Sequence, residues 1–400
     1  MSNLKVAVIG GGAAGFFAAI SAKSHHPKAQ VQVFEKTSKL LAKVKVSGGG
    51  RCNVTHACPK PAELIKFYPR GSKKLRKVFD QFSVNDTIDW YESRGVELKT
   101  EADNRMFPVT DNSQTIIDCL MAESKRLGVQ INLNTAIRQI EKVATGFTLD
   151  GAFFNKVIVA TGGSPKLAGF EWLQKLGHTI ESPVPSLFTF NMPKEPVKAL
   201  MGVSVPNATV KVIGTKLVQS GPLLITHWGM SGPAILKTSA WGARELAEKN
   251  YHFTAQINWL ADKKEEALRE ELSHFITENG KRQIKNKNPF GLPQRLWDFL
   301  LEKVEISAIK PWMELGKKDK NRLVNVLIND QYQVAGKTTF KEEFVTCGGV
   351  SLSQVDFKSM QSTVCPGLYF AGEVLDVDGV TGGFNFQAAW STGFVAGRLL

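Results

Sequence analysis

The first thirty-five residues constrain the fold of this chain more than any other stretch. Val6-Ala7-Val8-Ile9 is a short apolar run, as a strand covered on both faces requires. Gly10-Gly11-Gly12-Ala13-Ala14-Gly15 follows and satisfies G-x-G-x-x-G. From about Ala13 to Ser24 the Ala- and Phe-rich segment reads as a helix, and Val31-Gln32-Val33-Phe34-Glu35 reads as a second strand. Gly10 permits the tight turn out of the strand, Gly12 leaves room for a pyrophosphate against the backbone, and Gly15 lets the helix pack closely on the sheet. The helix start at Ala13 and Ala14 offers free N–H groups and a positive dipole end to the phosphates. Glu35, twenty residues beyond Gly15, can accept hydrogen bonds from an adenosine ribose, with Lys36 beside it. The unit is a dinucleotide fingerprint, and by itself it does not choose between NAD and FAD.

A second glycine cluster, Ser47-Gly48-Gly49-Gly50-Arg51-Cys52-Asn53, comes soon after. Gly49 and Gly50 let backbone approach a ligand, and Arg51 can pair with phosphate through its planar fork. Cys52 and Asn53 are expected to continue that contact, with Arg51 as a surface arginine the alternative. Lys156 to Gly163 is another apolar strand ending in a glycine turn, which puts Thr161 and Gly162 at the expected cofactor edge. Val129 to Thr148 reads as a β-meander that carries Ile137 to the same place. Near the C-terminus, Gly367 to Glu373 is a strand ending at Gly372 and a carboxylate. Gly382-Gly383-Phe384-Asn385 then leads into a helix from about Phe386 to Leu399, with Asn385 read as its N-cap. The positive end of that helix would stabilise negative charge on a reduced flavin.

Composition narrows the class. Five cysteines, odd in number and never spaced as C-x-x-C, argue for a reducing compartment and against a disulfide framework. No apolar run reaches the roughly 18 to 20 residues of a membrane span, and the glycines at 10 to 12 would break a signal-peptide helix. The expected location is the cytoplasm. The net charge of +13 includes twelve Lys or Arg and a single acid, Glu63, between Lys36 and Lys77. Such a region reads first as a solvated face with a phosphate-binding loop, and second as an RNA-binding surface.

The middle of the chain reads as a separate domain. Ser182-Pro183-Val184-Pro185 marks the crossing, and Val203 to Thr226 alternates as antiparallel strands do. From Asp262, which with Glu265 resembles a capping box, the pattern turns helical and pauses at Gly280. A second helix opens at Pro293 with Leu296, Phe299, Leu300 and Val304 on one face, and a third covers Lys320 to Ile328. Near Phe344 to Val350 the chain returns to the first domain. The middle holds no second G-x-G-x-x-G, and no histidine has metal-ligand spacing. Thr226 to Pro233 contains His227 and Ser231 but is not G-x-S-x-G. His227 is carried as a candidate proton donor, with a structural histidine at a turn as the alternative.

With these residues in view, the chain resembles the BaiN-like flavoproteins, also called YhiN-like or aminoacetone-oxidase-type. The resemblance runs almost end to end. It rests on Val8 to Gly15, Ser47 to Asn53, Phe107-Pro108, His227 to Pro233, and the long stretch Gly367 to Gln387. It implies FAD held non-covalently, adenine and ribose at Glu35, and flavin contacts from Gly372, Glu373, Gly383, Asn385, Phe386 and Gln387. Some members reduce activated C=C bonds and others carry the aminoacetone oxidase name.

The expected fold class is therefore α/β: a Rossmann-like FAD-binding domain formed by both chain ends (1–190 and 345–400) with an inserted domain at 191–344. The insert is expected to be β-rich over about 191–260 and helical over about 261–330. The expected function is an FAD-dependent oxidoreductase passing hydride or electrons between NAD(P)H, a transient donor, and a small organic substrate held between the domains. His227 and Arg51 are the candidate catalytic residues, with Asn53 and Asn385 also lining the cleft. The alternatives are a flavoenzyme acting on RNA and a flavin-binding sensor without turnover.

Overall fold

Lys5–Ile9 forms a strand whose Val6, Ala7 and Val8 are wholly buried; each such valine contributes roughly 1.5–3 kcal/mol. The structure, a computed structural model, describes residues 4–261, 263–338 and 345–400. It divides into two compact units, Met1–Ser186 with Phe340–Leu400, and Leu187–Thr339.

In the first unit five strands run parallel in the order Leu368–Phe370, Lys156–Val159, Lys5–Ile9, Gln30–Phe34, Gln130–Asn132. Two short strands, Val355–Asp356 and Gln361–Ser362, extend the first edge antiparallel. The first helix, Ala13–His25, packs on the C-terminal helix, Phe384–Gly397. A Cβ added at Gly393 would stand 2.6 Å from Ala14 O, and one at Gly397 2.5 Å from Ala18 O. The two helices therefore meet backbone to backbone, which only small residues allow.

The structure departs from expectation at four places. The region 129–148 is not one meander: Gln130–Asn132 pairs in parallel with the second strand, and the antiparallel meander is Ile140–Val143, Gly146–Leu149 and Ala152–Phe154. Ser182 to Pro185 lies inside a strand, Ile180–Ser186, paired antiparallel with Val345–Val350. The register shifts between Glu181 and Val184, where a proline lacking an N–H cannot serve the ladder. The C-terminal helix starts at Phe384 with Gly383 (φ +93) at its cap, so Asn385 is inside the helix and is not the N-cap. The helix expected from Asp262 is Glu265–Asn279, with Lys264 in the cap position and no side-chain cap; Asp262 and Phe344 lie outside the described residues.

The second unit is built on a seven-stranded antiparallel sheet. Its order is Asp330–Ala335, His252–Asn258, Ser204–Val212, Val218–Thr226, Gly229–Ser231, Thr189–Asn191, Lys337–Thr338. His227 and Trp228 are the two-residue turn between its fourth and fifth strands. Three helices follow the strand at 252–258: Glu265–Asn279, Gln294–Lys303 and Lys317–Ile328. Leu296 and Leu300 are buried, while Phe299 and Val304 lie partly buried at the rim of the same core. Among the described residues no helix is long and apolar enough to cross a membrane.

Candidate functional site

Parallel strands present their carboxyl ends along one edge, and ligands of open α/β sheets bind there. Three of these ends are adjacent: Gly10 to Gly12 after the first strand, Thr161 to Gly163 after Lys156–Val159, and Gly372 to Glu373 after Leu368–Phe370. The first glycine turn is tied on both sides. Gly10 N donates to Phe34 O (2.8 Å) and Leu41 N to Gly11 O (2.9 Å). At Gly10 (φ +113) a Cβ would meet Ala160 O at 2.3 Å, and at Gly15 it would meet Gly10 O at 1.9 Å. At Gly12 it would meet nothing within 4 Å. Gly12 caps the first helix without a side-chain bond, and no acid occupies the first turn. The N–H groups at the start of this helix have no intrahelical partner and can act as donors for an anion.

Glu35 binds the turn as well as facing it. Its Oε2 accepts from Gly11 N (2.9 Å) and its Oε1 from Thr37 N and Thr37 Oγ1 (both 2.9 Å). A carboxylate oxygen takes two hydrogen bonds, so Oε2 retains capacity for a ribose hydroxyl. Lys36 is exposed next to it. The half-buried Ile137 follows Asn134 and Thr135, whose N–H groups donate to Thr37 O (3.1 Å) and Glu35 O (2.8 Å). A coil tied to Glu35 and Thr37, rather than a strand, therefore leads to Ile137.

In the second glycine cluster the right-handed turn of Ala42–Gly50 breaks at Ser47, and Gly48, Gly49 and Gly50 all have positive φ. Open space surrounds Gly49 and Gly50, so their backbone is accessible. The side chains that follow have other duties. Arg51 Nη1 donates to Glu101 (2.6 Å), and its guanidinium lies 4.0 Å from the Phe107 ring centroid. The guanidinium is thus engaged by acids, Glu101 and Asp111, as a surface arginine's would be. Cys52 is wholly buried in the apolar cluster of the first unit, and burial pushes its thiol up to about 12. Its side chain is packed in that cluster, and its backbone N–H donates to Ser47 O (3.0 Å). Asn53, oriented to satisfy both ends of its amide, donates to Thr55 O and accepts from Gly383 N, each at 3.0 Å.

Asn53 thereby reaches the N-terminus of the C-terminal helix, where the chain from Asp376 to Phe384 is held on several sides. Val380 N donates to Phe67 O (2.9 Å), Tyr68 Oη to Phe384 O (2.6 Å), and His56 Nδ1 contacts Gly382 O (3.1 Å). Asn385 closes the loop on itself, its Oδ1 accepting from Gly379 N (2.8 Å) and its Nδ2 donating to Gly379 O (2.9 Å). Asp378, wholly buried, is clasped by Arg70 and by the Ser186 hydroxyl. Burial pushes its carboxyl up and Arg70 opposes that rise. Gln387 is buried: its Nε2 donates to Ser83 O, Thr87 and Ser391, and its Oε1 accepts from Thr55. Its side-chain amide serves the core between helices. Phe386 is half-buried and stacks on Trp390 at 5.5 Å.

At the sheet edge Thr161 is exposed and Gly162 (φ +74) is surrounded by open space. Gly372 N donates to Thr392 Oγ1 (2.9 Å). Glu373 is already engaged, by Lys43 Nζ (2.7 Å) and Thr346 N (2.8 Å). His227 belongs to the second unit, exposed at its hairpin turn with its ring 4.1 Å from that of Trp228. Arg70, Asp378, Tyr68 and Thr37 are not singled out by sequence reasoning. The signal for the first two is present as a lone acid–base match: a buried-looking Val-Asp-Gly segment and an arginine in a stretch almost without acids.

Free N–H groups at a helix start, a carboxylate with acceptor capacity left and glycine-lined edges fit the binding of FAD. Fold and site together define a Rossmann FAD-binding flavoprotein oxidoreductase. The chain belongs to the family described as HI0933-like protein Rossmann domain, which it matches over residues 4–399. It is 30% identical over 416 aligned positions to the ribosomal RNA dihydrouridine synthase of Escherichia coli K12, covering 100% of this chain and 98% of that protein. It is 27% identical over 406 positions to the 3-dehydro-bile acid delta(4,6)-reductase of Clostridium scindens, covering 98% of each. Among solved structures, the 3-ketosteroid delta1-dehydrogenase of Sterolibacterium denitrificans shares the fold, with a TM-score of 0.51, 12% identity and 99% of both chains covered.

Proposed function

We propose that the chain is a reductase that adds a hydride and a proton across a C=C bond conjugated to a carbonyl, with NAD(P)H as the electron donor. The observation that carries this reading is a shared bond change. Two of the relatives are named for unlike molecules, a bile acid and a ribosomal RNA nucleoside, yet both names describe saturation of such a bond. The balance is simple: NAD(P)H gives up a hydride, the β-carbon gains it, and the α-carbon takes a proton. FAD, when bound, supplies the two-electron chemistry that joins donor and acceptor.

The chain's residues hold and orient. The free N–H groups at Gly12 to Gly15 bind pyrophosphate, Glu35 binds the adenosine ribose, and the backbone at Gly49, Gly50 and Gly162 allows close approach. The N-terminus of Phe384–Gly397, fixed by Asn53, Tyr68 and Asn385, places a positive dipole end where negative charge gathers. His227 is proposed as the proton donor. His227→Gln is expected to lower kcat by about 10²- to 10⁴-fold at unchanged FAD content. An unaltered kcat would return His227 to a turn residue.

The leading substrate is a small conjugated ketone or acid. A second reading, the C5=C6 bond of uracil within RNA, is favoured by the net charge of +13 and by the exposed Lys73, Lys74 and Lys77 on the helix Ser72–Phe79. The separating experiment is anaerobic reduction with NADPH followed by one of two acceptors, an α,β-unsaturated ketone or deproteinised ribosomal RNA. Flavin reoxidised by the ketone supports the first, and RNA gaining two hydrogens per uridine supports the second. Reoxidation by neither acceptor would reject the reductase reading. Action in the cytoplasm, where NAD(P)H is available, belongs to the same proposal.

A further inference from the structure

In the second unit the segments at 280–287 and 308–314 are laced into an irregular ribbon. Ile284 N donates to Lys310 O (3.0 Å), Lys285 N to Ala308 O (2.9 Å), Trp312 N to Arg282 O (3.0 Å) and Met313 N to Gly280 O (2.9 Å). Ile284 and Trp312 point inward and are wholly buried, so the ribbon is anchored in the core. What it turns outward is mainly cationic, with Glu314 the one exposed acid of its second segment. Lys281, Arg282, Lys285 and Lys287 are all exposed, and residues 280–288 contain no acid. Lys317 and Lys318, also exposed, extend the same charge from the start of the helix Lys317–Ile328. Neighbouring cations are neutralised, Lys310 and Arg322 by Asp319 at 3.2 and 2.8 Å. Among the described residues none of the first four cations is held in an ion pair. Two aliphatic side chains stand among them, Ile309 (62% exposed) and Met313 (64% exposed).

We propose that this ribbon is a docking surface for the phosphate backbone of a folded RNA, a second binding surface distinct from the dinucleotide cradle of the first unit. The proposal rests on the RNA reading of the substrate. Clustered lysine and arginine side chains are the donor set that phosphate contacts use. Two aliphatic side chains give far less apolar face than a helix lying in a membrane interface presents. A backbone-reading surface of this kind positions an RNA without reading its sequence, and leaves selection of the base to the reacting site.

The test uses the FAD-loaded full chain and deproteinised ribosomal RNA, with affinity followed as salt is raised. Joint reversal of Lys281, Arg282, Lys285 and Lys287 to Glu is expected to weaken RNA binding by about tenfold or more. The salt dependence should become shallower by about 0.7–0.9 for each phosphate that the variant no longer neutralises. The same reversal at the exposed Lys194, Lys211, Lys216 and Lys249 serves as the control for net charge and should cost much less. FAD content and NADPH oxidation should be the same in all three proteins, which shows that the variants fold. If the parent binds RNA and the ribbon variant binds equally well, the surface is wrong while the RNA reading stands. If the parent binds no RNA, both fall. Cosedimentation with phosphatidylserine vesicles, abolished in the ribbon variant and unmatched by RNA binding, would reassign the ribbon to a membrane and overturn the proposal.

Discussion

Two guanidinium groups converge on Glu123. Its carboxylate, 6% exposed, accepts from Arg126 at 2.7 and 2.9 Å and from Arg94 at 2.8 Å. The Arg126 hydrogen bonds, with Arg94 adding to them against the cost of burial, pull it down from 4.5 to about 2. A carboxyl whose folded value lies below its unfolded value contributes stability that is full above the unfolded value. That contribution fades as pH falls towards the folded one. The window is therefore between 4.5 and about 2, and the contribution is on the order of 3 kcal/mol. Glu123→Gln should lower the urea midpoint near neutral pH and shrink the further drop between about pH 5 and about pH 3. An equal acid-induced drop in parent and variant would contradict the assignment. Gly12 and Gly15 make a sharper pair. Gly15→Ala meets Gly10 O at 1.9 Å and should destabilise the fold, whereas Gly12→Ala meets nothing within 4 Å. Thermal denaturation of apoprotein should therefore leave Gly12→Ala near the parent, while its FAD affinity falls because the new methyl occupies phosphate space. Unchanged FAD affinity would remove the cradle from the site. At this scale the glycines are legible in the sequence because each carries one steric task, but the directions of Cys52, Arg51 and Gln387 are not. Which way a side chain points depends on partners such as Glu101 and Thr55, distant in sequence from what they bind.

Elements are legible where a single local pattern decides them. The strand–turn–helix–strand at the N-terminus follows from buried runs and glycine spacing alone. The meander is misplaced by sequence because alternation shows a strand without showing its sheet: Gln130–Asn132 finds its partner in Gln30–Phe34 across the parallel sheet. The Asp150-Gly151 turn, both residues at positive φ, is the available hairpin signal. The prolines at 183 and 185 read as the crossing between domains because proline usually interrupts a ladder, yet a two-stranded ribbon tolerates them at a register shift. The helix cap falls on Asn385 by sequence because cap preference is statistical, while Gly383 at φ +93 takes a conformation an asparagine would enter at a cost. The packing of Ala13–His25 on Phe384–Gly397 carries an element-scale expectation. Gly393→Val would drive a side chain to within 2.6 Å of Ala14 O and 3.0 Å of Phe17 Cβ. The helices must then separate, with an expected loss of about 1–3 kcal/mol or more in equilibrium unfolding. A variant as stable as the parent would show that this crossing has slack.

At the scale of the molecule, FAD is expected to join parts of the chain far apart in sequence: the turn at 10–15, the glycines at 48–50, the edge at 161–163 and the loop at 372–385. Hydrogen bonds within the chain itself link several of these, as between Asn53 and Gly383 or Lys43 and Glu373. Such prior arrangement lowers the ordering cost of binding. A dinucleotide site is legible in the sequence because glycine spacing carries backbone information directly, while the choice of FAD follows from the family resemblance that the Gly367 to Gln387 stretch carries. The substrate is not, because redox chemistry resides in the cofactor and the chain contributes mainly position and charge. One spectrum therefore tests the central claim most directly, that of the purified protein recorded without oxygen before and after NADPH. The expected result is an oxidised-flavin spectrum that bleaches on addition of the nucleotide and returns when a conjugated acceptor is supplied. A colourless protein that cannot be reconstituted with FAD would contradict it outright.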